Sequence, residues 1–131
     1  MRRSFAALVL LVLALVAPSA PRDHAAPVDA QTAAVSRTGT LGEARYQIEV
    51  PADWRGGLVV FAHGIQRGPG PGALTSPPLA SHILDGGHAW AASGYRAREY
   101  RPDWFIEDLV ALRELFLKEI GRPRWTIIYG Q

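Results

Sequence analysis

Two short pairs, His63-Gly64 and Gly130-Gln131, each stand directly after an apolar run, Leu58–Ala62 in the first case and Trp125–Tyr129 in the second. A glycine at a strand end lets the main chain turn without a Cβ clash and brings backbone N–H groups close to a ligand. N–H groups oriented in this way stabilise a developing oxyanion, because they are in place before the charge appears. The other candidates carry less chemistry. Ser4, Ser19, Ser36, Ser76, Ser81 and Ser93 all lie outside a Gly-x-Ser-x-Gly context, and Ser93, before Gly94, reads as a small packing residue. His24, His63, His82 and His88 lack a metal-ligand spacing such as His-Glu-x-x-His. Asp85-Gly-Gly-His88 reads as a turn that ends a helix, so neither a metal nor a cofactor is expected. Gly68-Pro-Gly-Pro-Gly72 lacks the Gly-Lys-Ser/Thr ending of a phosphate loop, and its prolines remove N–H donors.

The elements that must position these pairs follow from hydropathy. In Arg45–Val50 the apolar Tyr46, Ile48 and Val50 alternate with polar neighbours, the period of a half-buried strand. Leu58–Ala62 is short and continuously apolar, as in a strand covered on both faces; Ala89–Ser93 and Trp125–Tyr129 are read the same way. Pro78–Leu84 suits a short helix stopped by Gly86-Gly87. The longest helix is expected from about Pro102 to Ile120, with Asp103 as N-cap and Glu107 and Asp108 near the positive end of the helix dipole. Phe105, Leu109, Leu112, Phe116 and Ile120 form its apolar face, widened by Ile106, Val110 and Leu117, and Gly121 and Pro123 stop it. Strands alternating with helices over short connections predict right-handed crossovers and a parallel sheet. Ligands of such a sheet bind beyond the carboxyl ends of its strands, which sets both glycine pairs on one rim.

The 131-residue chain is 48% hydrophobic and 20% charged, a globular composition. Its 14 basic residues are scattered and its formal net charge is +2, which gives no nucleic-acid footprint. Arg2-Arg3 followed by the apolar Phe5–Ala17 stretch resembles a secretory leader, too short for the roughly 20 residues of a membrane span. Export to the periplasm or outside the cell is expected, with an uncleaved anchor as the other reading and no stable span. Small residues suit cleavage after Ser19 or after Ala30. With no cysteine, an exported chain depends on its core alone. The expected division is a leader over residues 1–30, a linker over 31–39 and a folded part over 40–131.

The run Tyr46–Gly64, the segment Gly87–Arg96, the Asp103–Ile120 helix and Ile127-Ile-Tyr-Gly-Gln131 together resemble the opening half of a secreted bacterial α/β-hydrolase. The resemblance covers roughly residues 40–131. It implies an α/β fold class: the N-terminal part of an α/β-hydrolase fold, incomplete, with a mostly parallel sheet flanked by helices. In that family the His-Gly pair opens the oxyanion loop, so His63, Gly64 and Ile65 take that place here, with the Ile65 N–H as one donor. Gly130-Gln131 match the first two positions of Gly-x-Ser-x-Gly, and the second donor belongs to the residue after the serine. Serine, acid and histidine would all follow Gln131, so no catalytic residue is present and the piece alone would be inactive. The whole enzyme would cleave an ester, amide or peptide bond of a small-molecule or peptide substrate through an acyl-enzyme. Tyr95 and the Gly68–Gly72 loop are placed at the substrate entrance. The alternative is a small exported α/β binding domain without enzymatic activity.

Overall fold

The computed structural model describes residues 34–130, so the expected leader, the start of the 31–39 segment and Gln131 lie outside the described residues. Five strands and two helices follow in the order β1 (Val35–Leu41), β2 (Ala44–Val50), β3 (Gly57–Ala62), α1 (Ala80–Asp85), β4 (His88–Ser93), α2 (Pro102–Glu119) and β5 (Trp125–Gly130). They build one sheet of spatial order β1-β2-β4-β3-β5.

The expected mostly parallel, helix-flanked sheet is corrected by this topology. The sheet is mixed: β1 pairs with β2 and β2 with β4 antiparallel, whereas β3 pairs with both β4 and β5 in parallel. Only two helices occur among the described residues. The physical reason is a hairpin that the sequence pattern concealed. Val35–Leu41 is mostly polar, and order was expected only from Thr40. A two-residue turn, with Gly42 at a φ of +59°, folds this segment back onto β2. Gly39 lies opposite Tyr46, whose ring covers its backbone: a Cβ there would meet the ring at 2.8 Å. A strand at a sheet edge needs little apolar surface of its own, which is why alternation fails as a signal here.

Side-chain alternation divides the core into two clusters. Ile48, Val50, Leu58, Val60, Ala89 and Ala91 point to one face and pack with Leu112 and Phe116 of α2. Phe61, Trp90 and Ala92 point to the other, where Ile83 of the short α1 meets them. The interior of β3 is therefore closed on both sides, as its continuous apolar run requires. β5 was expected to be buried in the same way and is not. It forms the outer edge, with Ile127 54% and Ile128 68% exposed. The widened side of α2 is equally uncovered, Ile106 and Val110 lining an open apolar groove with Leu109, Thr126 and Ile128. Arg101 rather than Asp103 takes the N-cap position of α2, because Pro102 begins the helix one residue earlier. No helix among the described residues is long and apolar enough to cross a membrane.

Leu112 is fully buried against the sheet, so Leu112→Ala should cost about 2–5 kcal/mol in urea unfolding. Val110→Ala, on the open side of the same helix, should change stability by no more than about 0.5 kcal/mol.

Candidate functional site

Because β4, β3 and β5 run in parallel, their carboxyl ends share one rim, with β3 in the middle. The register sets Ala62 opposite Gly130, and adjacent strands lie about 4.8 Å apart. The His63-Gly64-Ile65 segment therefore leaves the sheet beside the point where the chain passes Gly130. Gly64 and Ile65 are exposed, and among the described residues no acceptor takes the Ile65 N–H. At Gly130 itself there is room for a side chain: a Cβ would meet only the Ala62 carbonyl oxygen, at 3.7 Å. The expected steric need for glycine at that corner is thus not created by the residues described.

His63 is 9% exposed, and its Nδ1 lies 2.7 Å from the Gly64 carbonyl oxygen. A carbonyl only accepts, so Nδ1 carries the hydrogen and donates it. This bond ties the imidazole to the following peptide and so holds the turn that presents Ile65. The remaining ring nitrogen, Nε2, is buried without a partner among the described residues. His63 is thereby a fixed part of the turn and does not offer a solvent-facing base.

Behind the turn stands a second layer that sequence reasoning missed. The Tyr95 ring lies 4.5 Å from that of His63 and stacks at 4.2 Å on Phe105 of α2, centroid to centroid. Tyr95 is 3% exposed, which corrects its placement at the substrate entrance. Its φ of +59° is unusual for a residue with a side chain, and neighbours on both sides hold it there. Its own N–H donates to the buried Ser93 hydroxyl at 3.0 Å, and the next N–H, of Arg96, donates to Asp108 at 2.8 Å. The Arg96 guanidinium closes the arrangement, with Nε donating to Asp108 at 2.7 Å and Nη1 facing Glu107 at 3.1 Å. Asp108, expected to serve the helix dipole, instead anchors the rim as a buried carboxylate. A clue was available: Asp108, Leu112 and Phe116 recur at helical spacing on the buried stripe of α2.

The Gly68–Gly72 loop is exposed except at its end and is pinned at its base. The Gln66 side-chain amide both accepts from the Ala73 N–H at 2.7 Å and donates to the Ala73 carbonyl at 2.9 Å. Arg98 Nε donates to the Pro71 carbonyl at 3.0 Å, and the Gly72 N–H to that of Tyr95 at 3.0 Å. The last bond forces Gly72 against the backbone of Gly94. No group of three His, Asp or Glu side chains among the described residues could hold a metal ion. What the rim offers is the Ile65 N–H, which donates to no described residue.

Two measurements probe this rim. A Cβ at Gly72 would stand 1.8 Å from the Gly94 carbonyl oxygen, so Gly72→Ala should destabilise the protein by about 1–3 kcal/mol through overpacking. The Tyr95 hydroxyl is held above its ordinary pKa of 10.0, first by burial and then by the Asp108 charge. A raised folded pKa means that the neutral phenol is favoured by folding. That stability is fully present below the unfolded value and is lost as pH rises through the folded one. Ultraviolet titration should show one phenol ionising later than the rest, and Tyr95→Phe should remove that step. No protein-family model matches the chain, and no curated protein is significantly similar to it, so the functional reading rests on the rim alone.

Proposed function

We propose that the chain supplies the oxyanion side of an exported serine hydrolase, acting on an ester, amide or peptide bond through an acyl-enzyme. In this reading His63, Gly64 and Ile65 form the oxyanion turn, and Gly130-Gln131 lead into a nucleophilic serine that follows them. Acid and base come from further along the same polypeptide, so residues 1–131 alone bear no nucleophile and are inactive. The observation that carries the reading is the parallel register of β3 and β5, with Ala62 opposite Gly130. An acyl-transfer site needs a donor N–H within hydrogen-bond reach of the carbonyl that the nucleophile attacks. Two neighbouring parallel strands support the reading, since their carboxyl ends, at Ala62 and Gly130, lie side by side. The Ile65 N–H, without an acceptor among the described residues, is the donor on this side in this reading, and loss of one such donor costs about 2.7–4 kcal/mol in the transition state.

The strand register does not choose among bonds. In this reading the pinned Gly68–Gly72 loop, which follows the turn in the chain, lines the substrate entrance.

The reading is tested by continuing the coding frame past Gln131. It should encode serine, any residue and glycine at once, and the longer protein should be labelled covalently by a fluorophosphonate at that serine. Replacing the serine with alanine should abolish labelling and hydrolysis of a p-nitrophenyl ester. A confirmed stop codon after Gln131 would refute it and favour a binding domain, and ester hydrolysis by residues 1–131 alone would refute the placement of the nucleophile beyond Gln131.

A further inference from the structure

At the opposite end of the sheet, where β3 and β5 begin, a recess is lined by Trp54, Arg55, Gly56, Arg122 and Arg124. It lies about 20 Å from the rim, the length of a six-residue strand. Three of its five lining residues are arginines, in a chain whose formal net charge is only +2. Neither Arg122 nor Arg124 forms an ion pair with any described residue. Arg55 has one carboxylate, Asp53, at 3.6 Å, and both side chains are about two-thirds exposed.

Two of the three side chains are packed against glycines. The Arg124 stem lies flat over Gly56, where a Cβ would meet its Cγ at 2.8 Å, and the Arg124 N–H donates to the Gly56 carbonyl at 2.7 Å. The Arg55 stem lies over Gly87 in the same way, with Cδ and Nε 2.8 Å from a Cβ there. Both glycines have positive φ, +84° and +75°, so the backbone is shaped to admit the two stems. Trp54 forms a fixed wall, its Nε1–H donating to the Gly57 carbonyl at 2.8 Å and its ring meeting Phe116 edge-on at 5.6 Å. Arginines packed on a glycine floor lose less freedom on binding than arginines free in solvent. Their planar forks match the oxygens of a tetrahedral oxyanion.

We propose that this recess binds a phosphate group, presented either by a free phosphate or by a phospholipid headgroup. Arg122 and Arg124 make the primary contacts, and Arg55 joins them by exchanging its exposed partner Asp53 for the ligand. The site is independent of the hydrolase reading, because it shares no residue with the rim.

The experiment follows the arginine Nε–Hε signals of the full chain by NMR at constant ionic strength. Inorganic phosphate is added in one series and glycerophosphoglycerol, a soluble headgroup diester, in another. Saturable shifts confined to Arg55, Arg122 and Arg124 are expected. A response to phosphate alone assigns a free ligand, and a response to the diester assigns a headgroup. The double variant Arg122→Gln/Arg124→Gln should bind at least ten-fold more weakly, while Arg113→Gln should bind as the parent does. Should the double variant melt lower, Arg124→Lys retains charge and stem but lacks the fork, and it should bind several-fold more weakly. Absence of saturable shifts with both probes overturns the proposal. So do shifts spread evenly over Arg67, Arg98 and Arg113, or unchanged affinity in a variant that melts as the parent does.

Discussion

The parallel pairing of β3 with a neighbour on each side is the constraint from which the rest of the structure follows. β3 has five residues in register with β4 and six with β5, so its backbone hydrogen bonds are satisfied from both sides. Its side chains enter both core clusters, Leu58 and Val60 on one face and Phe61 on the other. A strand held in this way cannot shift by a residue without turning its apolar set to the wrong face. That rigidity aligns the ends of three strands at one rim and their beginnings at the other. The His63–Ile65 turn and the arginine recess are thus two consequences of one register.

Polar interactions then refine what the sheet sets out. Burial of Asp108 would be costly if its charge stood alone. Three donors from Arg96, one backbone and two side-chain, surround its oxygens. In return they hold the chain at Tyr95 in a left-handed conformation that a tyrosine seldom adopts. Strain of that kind persists only where neighbours over-determine it, and here Ser93, His63 and Phe105 contribute. The imidazole of His63 passes the constraint to Gly64 through its Nδ1–H. Order therefore runs from a buried carboxylate on α2 to the peptide that precedes Ile65.

The two edges of the sheet differ in chemistry. β1 presents Ser36, Arg37, Thr38 and Thr40, with Arg37 bonded to Glu119 of α2 at 2.7 Å. Charge and hydroxyl groups at an edge discourage pairing with a further strand. β5 carries no charged residue, and beside it the Ile106–Val110 side of α2 is uncovered. An apolar edge next to an apolar groove is a surface that lowers its free energy by being covered.

Local pattern determined much of this protein. Alternation in Arg45–Val50, the short apolar runs at Leu58–Ala62, Ala89–Ser93 and Trp125–Tyr129, and the helical spacing from Phe105 to Phe116 each mark an element that forms, because burial imposes its period on the residues that undergo it. The two glycine pairs were visible for the same reason: each follows such a run. Strand order and direction lay beyond local pattern, since an apolar run does not state which strand it will pair with. The mixed sheet depends on β1, whose polar residues are tolerated at an edge and give no periodic signal. The role of Asp108, the burial of Tyr95 and the gathering of Arg55, Arg122 and Arg124 were decided by tertiary structure alone. Each joins residues from separate elements of the chain, and only the packed sheet brings them together.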